Sequence, residues 1–168
     1  VWHAAVIEVG GSHITNDIAM VLHLPVDEAE RVKVMEGNVD PETVAPDAIV
    51  TVQPFGEEMS TQILRYDLAQ IIEARVDEIF TLVMQDLKRS GYDGLLPAGV
   101  VLTGGAAGLK HIRNSATRIM NLPVRVAQPD DVGGLADKIK SPAFSTAIGL
   151  LRFAYRMDAG SAGPGGDV

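Results

Sequence analysis

Two glycine pairs and one acid–base pair are the chemistry-bearing features of this chain. Gly99 to Gly108 reads GVVLTGGAAG. A short apolar run of strand type delivers the chain to Gly104 and Gly105, where the missing Cβ atoms let backbone approach a ligand. A helix expected directly behind the pair would present free N–H groups suited to an anion. The stretch is built like a nucleotide site, and a tight strand-to-helix turn would need the same two glycines for packing alone. It is neither GxGxxG nor a P-loop, so neither Rossmann nor Walker chemistry follows from it. Glu30 and Lys33, in AERVK, stand three residues apart. On a helix both reach over one edge, where the carboxylate could accept from ribose hydroxyls and the lysine stem could cover an adenine ring. The plain alternative is a solvated ion pair contributing a few tenths of a kcal/mol. Gly10-Gly11 repeats the glycine pair and carries the same two readings. His13, Thr15, Asn16 and Asp17 gather polar groups at a helix start, where N-terminal capping is the expected role.

Composition bounds the rest. The chain has 168 residues, 46% of them hydrophobic and 21% charged, enough apolar surface for one or two compact units. Lys plus Arg number 14 against 22 Asp plus Glu, a formal charge of −8 that repels phosphate backbones, so no nucleic-acid partner is expected. With no Cys, thiolate catalysis and Cys-ligated zinc are excluded, and the four histidines show no HExxH or HxH pairing. No Ser-His-Asp order and no paired catalytic carboxylates emerge. No apolar run approaches the roughly 20 residues of a membrane span, and no signal-type segment opens the chain, so a soluble, cytoplasmic product is expected. The start at Val1, inside an apolar stretch, suggests a piece of a longer protein.

The elements that must position these residues are legible from periodicity. Val1 to Val9 reads as a strand ending at Gly10-Gly11. Ile14, Ile18, Val21 and Leu22 then fall on one helical face, with Ser12 as a possible N-cap. Pro25 suits the first position of a second helix, which carries Asp27, Glu28 and Glu30 near its start and ends at Gly37 as a C′ residue. Asn38 to Gly56 reads as loop around the short strand run Ile49 to Val52, and Met59 to Leu64 as a further strand. A long helix opens near Asp67 and runs to Gly91, with Leu68, Ile71, Ile72, Ile79, Val83 and Leu87 at helical spacing. Gly99 to Thr103 is a buried strand, followed beyond the glycines by a helix carrying Leu109, Ile112, Ala116, Ile119 and Met120. Val124 to Val126 completes a strand–helix–strand unit and hence a parallel pair. Ser141-Pro142 opens a last helix to about Arg156, and Asp158 to Val168, rich in Gly, should be a disordered tail.

Five collinear segments together resemble the bacterial cell-division actin FtsA: AAVIEVGGSHITNDIA (4 to 19), PVDEAERVKVMEG (25 to 37), YDLAQIIEARVDEIFTLV (66 to 83), GVVLTGGAAGLKHI (99 to 112) and LPVRVAQPDDVGGLADKIKSPAFSTAIGLLRFA (122 to 154). VGGxxxTNDIA, AExxK and VLTGGAA in this order separate that family from the rod-shape actin MreB and from the heat-shock chaperones. The resemblance covers most of residues 1 to 155 and is weakest between Asn38 and Ser60.

What it implies is an α/β, actin-like (ribonuclease-H-like) domain with an inserted α+β subdomain, part of a larger two-domain protein. Residues 1 to 10 and 98 to 157 would form subdomain 2A, and 11 to 97 subdomain 2B. Gly104 and Gly105 would lie against the ribose and α-phosphate of ATP, Glu30 and Lys33 would contact ribose and adenine, and Gly11 would sit near the phosphates. The implied cofactors are ATP and Mg2+, held in the full-length protein together with phosphate loops that precede Val1, so this chain alone should not hydrolyse ATP. The implied partners are the C-terminal peptide of FtsZ, further copies of the protein in filaments, and other division proteins. Arg75, beside Ile71, Ile72 and Ile79, is the candidate anchor for the acidic and apolar FtsZ peptide; pairing with Glu73, Asp77, Glu78 or another acid is the alternative. The full-length protein would act at the cytoplasmic face of the inner membrane, while Gly160 to Val168 has no amphipathic pattern, so no membrane contact by this chain is expected. The competing readings are a pure docking module, a chaperone, a sugar kinase or a rod-shape actin.

Overall fold

A computed structural model describes residues 1–130 and 139–161. The chain forms two compact units, one of Val1–Leu102 with Leu109–Arg125, the other of Thr103–Gly108 with Val126–Val168.

The first unit is organised by α1 (Gly11–Val21), α2 (Val26–Glu36) and the long α3 (Arg65–Ser90). Helix α1 packs on both α2 and α3. Ile14 and Ile18 of α1, Val32 of α2, and Leu68, Ile72 and Val76 of α3 are fully buried where these helices meet. Each such side chain contributes about 1.5 to 3 kcal/mol of burial. The stripe of α3 centres on Leu68, Ile72, Val76 and Phe80, while Ile71, Ile79 and Val83 pack at its margin. Strands β1 (Ile49–Val52) and β2 (Thr61–Leu64) pair antiparallel in the register Ile49 to Leu64 and Val52 to Thr61, and Val50 and Val52 point into the core.

Strand β3 (Val100–Leu102) is hydrogen-bonded beside β4 (Val124–Val126), and α4 (Ile112–Met120) connects them. Helix α4 lies on α3 through Ile112, Ala116 and Met120. In the second unit, Ser141 caps a single 3-10 turn, Pro142–Phe144, that leads into α5 (Ser145–Ser161). Among the described residues no helix is long and apolar enough to cross a membrane.

Several expectations are corrected. Val1 to Val9 forms no strand: it carries no ladder bonds, and Trp2 is 90% exposed. A β-type sequence becomes a strand only where another edge supplies partners for its N–H and C=O groups. Gly10, not Ser12, caps α1, and its N–H is accepted by His13 Nδ1 at 3.2 Å. Pro25 stands at the N-cap of α2, one position before the expected one.

Gly37 ends α2 with φ −58° and ψ 132°, a backbone open to any residue. Its glycine is required by close approach instead: a Cβ there would stand 2.2 Å from the Lys33 carbonyl oxygen and 2.8 Å from Leu109 Cδ2.

The helix expected behind Gly104-Gly105 is a 3-10 turn, Gly105–Gly108, and α4 begins only at Ile112. The interruption has a cause on the facing loop. Lys110 pairs with Asn38 in a parallel bridge, and its carbonyl accepts from Val39 N at 3.0 Å. His111 takes the left-handed conformation, φ 63°, and its Nδ1 lies 2.9 Å from Asn38 Oδ1 and 3.2 Å from Thr43 Oγ1. These bonds hold Lys110 and His111 out of helical geometry. The last helix continues through Ser161, past Arg156, so the start of the expected tail is helical; the remainder, from residue 162, lies outside the described residues.

Candidate functional site

One polar knot joins α1 to α2. Lys33 Nζ donates to Glu30 Oε2 at 2.6 Å, to Thr15 Oγ1 at 2.8 Å and to the Gly11 carbonyl at 3.1 Å. An ammonium has three N–H groups, so all are used. The Thr15 hydroxyl also lies against the same Glu30 oxygen and against the Gly11 carbonyl. Three of the sequence-derived site residues, Gly11, Glu30 and Lys33, are thus brought into one cluster.

The cluster departs from a solvated surface pair in its asymmetry: the Lys33 side chain is 10% exposed and that of Glu30 is 49%. Lys33 is committed inward. Glu30 receives its described hydrogen bonds on Oε2, leaving Oε1 open to a further donor. Partial burial works against ionising Glu30. Hydrogen bonds from Lys33 and Thr15, with the lysine charge, outweigh it and hold the carboxyl below its ordinary value. Because the folded-state value is the lower one, this stabilisation is present above the ordinary 4.5 and is lost as pH falls through the folded-state value.

Lys33→Met is therefore expected to lower the unfolding free energy at neutral pH by about 2 kcal/mol, through three lost charge-assisted bonds and a Glu30 carboxylate left with only the Thr15 hydroxyl as its described donor. Urea melts at neutral pH and below pH 4.5 check this. The deficit should shrink on the acid side, and equal midpoints at neutral pH would restore the solvated-pair reading.

Gly104 and Gly105 belong to the second unit. Gly104 takes φ +92°, where glycine is strongly favoured, and its N–H donates to the Pro142 carbonyl at 3.0 Å. Thr103 Oγ1 bonds Ser145 Oγ at 2.7 Å, tying the end of the strand to the start of α5. Among the described residues, a Cβ on Gly105 would meet nothing within 4 Å. Packing among them does not explain Gly105, any more than it explains Gly108 or Gly149, so the position has room for a side chain.

Arg75 on α3 is not a free cation. Its Nε and Nη2 donate to Asp17 Oδ2 and Oδ1 at 2.5 and 2.8 Å, a bidentate pair to α1, and its Nη1 donates to Glu78 Oε2 at 2.5 Å. The hydrogen bonds to Asp17, helped by the charges of Asp17 and Glu78, raise the guanidinium pKa further against partial burial. The side chain is 24% exposed. It edges an open groove of about 430 Å³ whose apolar wall is Val21, Ile71 and Ala74. Of the three isoleucines expected to flank it, Ile71 lines the groove, whereas Ile72 is wholly buried.

The polar residues at the start of α1 have three separate roles. His13 accepts the Gly10 N–H, Thr15 enters the Lys33 knot and Asp17 anchors Arg75. Their sequence signal was position: Thr15 follows the core residue Ile14 and Asp17 precedes Ile18, so both lie at the edges of the buried stripe.

With this geometry described, known proteins place the chain. The family model for "Cell division protein FtsA" matches residues 1–149. The FtsA of Pseudomonas aeruginosa is 39% identical over 157 residues, covering 94% of this chain and 38% of that protein. The FtsA of Neisseria meningitidis is 40% identical, covering 93% and 38%, and that of Escherichia coli K12 is 35% identical, covering 90% and 38%. Among solved structures, MreB5 of Spiroplasma citri bound to AMPPNP superposes with TM-score 0.62 at 18% identity, covering 92% of this chain and 47% of that one. The same protein bound to ADP gives 0.59 at 19%, covering 84% and 46%. That likeness establishes the actin-like fold. The chain spans 38% of the length of these FtsA relatives, and it belongs to the FtsA family of cell division proteins.

Proposed function

We propose that the intact protein binds Mg-ATP, polymerises, and links the FtsZ ring to the cytoplasmic face of the inner membrane. In this reading residues 1 to 10 and 98 to 157 act as subdomain 2A and residues 11 to 97 as subdomain 2B. Glu30 Oε1 accepts from a ribose hydroxyl, while Lys33 holds the carboxylate in place from behind and its stem lies toward the base. The backbone at Gly104 and Gly105 contacts the ribose and α-phosphate, and Gly11 lies near the phosphates. Mg2+ would neutralise phosphate charge at loops supplied by the rest of the protein. The observation that carries this reading is the asymmetric Glu30–Lys33 knot, with the lysine buried and saturated and one carboxylate oxygen left outward.

This chain alone supplies few of the phosphate contacts, so it should bind Mg-ATP more weakly than about 100 μM, roughly −5.5 kcal/mol. Titration calorimetry on the 168-residue chain and on the full-length protein tests it. A low-micromolar constant for the chain would contradict the division of the site, and no binding by the full-length protein would contradict the nucleotide reading itself.

A second reading, docking of the acidic and apolar C-terminal peptide of FtsZ on 2B, is favoured by the groove beside Arg75. That groove combines an apolar wall with a guanidinium that has used three of its five N–H donors. Self-association and contacts with other division proteins would use further surfaces.

A further inference from the structure

The groove between α1 and α3 carries its own competing carboxylate. Asp17 grips the Nε edge of the Arg75 guanidinium from a side chain only 17% exposed, whereas Glu78 reaches Nη1 from a side chain 49% exposed, one helical turn further along α3. The two acids differ in what they can give up. Asp17 ties α1 to α3 through two parallel bonds, an arrangement with strong geometric preference. Glu78 makes a single i, i+3 contact at the helix surface, among the weakest classes of ion pair. Both acids, Arg75 and the apolar residues Val21, Ile71 and Ala74 line the same groove.

From this geometry we infer that Glu78 is an internal competitor of the partner carboxylate: it occupies the outward side of Arg75 until an acidic, apolar peptide replaces it, while Asp17 keeps the guanidinium aimed into the groove. The inference deepens the docking reading given above and rests on it. With Asp17 and Glu78 both ionised, the three-residue cluster bears one net negative charge, which opposes an incoming carboxylate. Rotating Glu78 into solvent frees the Nη1 donor and moves the opposing charge further off, at little cost because its pair is surface-exposed. The device sets selectivity as well as strength. An apolar peptide without a carboxylate gains nothing from displacing Glu78, so the groove discriminates by charge although the chain as a whole is acidic.

The test uses the 168-residue chain and the C-terminal peptide of the FtsZ encoded in the same genome, fluorescently labelled, with a second peptide in which every Asp and Glu is replaced by its amide. Anisotropy titrations at low salt compare wild type, Glu78→Gln and Arg75→Gln, with urea melts of each variant to separate folding from binding. Glu78→Gln should bind the acidic peptide three- to tenfold more tightly than wild type, show no such gain for the amide peptide, and lose most of the gain at high salt. Arg75→Gln should bind it at least tenfold more weakly while still folding. If Arg75→Gln weakens binding and Glu78→Gln leaves it unchanged, Glu78 is no competitor and the docking reading stands alone. If folded Arg75→Gln binds like wild type, or wild type does not bind, the docking reading fails and this inference with it.

Discussion

Gly37→Ala is expected to lower the unfolding free energy by about 3 kcal/mol, at the upper end of what overpacking costs. The substitution looks mild, since the backbone at Gly37 is acceptable for alanine and the residue stands at a helix end. The damage comes from what the new methyl meets. Its nearest neighbour is the Lys33 carbonyl oxygen at 2.2 Å, the acceptor of the last backbone hydrogen bond of α2, from Gly37 N at 3.0 Å. That oxygen belongs to backbone and cannot rotate away. Relief requires the end of α2 to unwind or to move off Leu109, whose Cδ2 would be 2.8 Å away. Either movement also disturbs the adjoining Asn38 to Lys110 bridge. Urea denaturation should show a lower midpoint with an unchanged slope. Leu109→Ala in the same background should rescue little, because the dominant clash is with the helix itself. A loss below about 1 kcal/mol would mean that the two segments are not packed as described.

The largest expected effect on function is at Gly105. Among the described residues nothing lies within 4 Å of where its Cβ would be, and its backbone lacks the φ of +92° that makes any side chain at Gly104 a folding problem. Gly105→Val can therefore fold, and it places a branched side chain where the nucleotide is proposed to approach the backbone. Hindered approach combined with intact folding makes this substitution informative.

The parts legible in the sequence were those set by local repetition. Helix α3 could be read from apolar spacing over many turns, and its end at Gly91 follows from a left-handed cap, φ 78°. Strand β3 and the glycines behind it were legible because a continuous apolar run is interrupted by residues without side chains, but the strand's expected burial is corrected: Val101 is 48% exposed and Val100 and Leu102 are only partly buried. The features that resisted sequence reading depend on residues far apart in the chain. Lys33 and Glu30 as an i, i+3 pair gave no sign that Thr15 and the Gly11 carbonyl would complete the lysine's shell and bury it. Asp17 lies 58 positions from Arg75, so the bidentate pair that commits this arginine to the fold has no local signature. The start of α4 was misplaced for the same reason: the Asn38 and Thr43 contacts that hold His111 out of the helix come from a loop 73 and 68 positions away. Val1 to Val9 has the composition of a strand, and composition does not supply an edge to pair with.

The most direct test of the nucleotide assignment is titration of Mg-ATP into full-length wild type and full-length Gly105→Val, with thermal melts of both in the absence of nucleotide. The account predicts saturable binding by wild type, no measurable binding by Gly105→Val, and matching nucleotide-free melts. Equal ATP affinity of the two proteins would contradict it, because a valine at Gly105 could not then lie against the bound nucleotide.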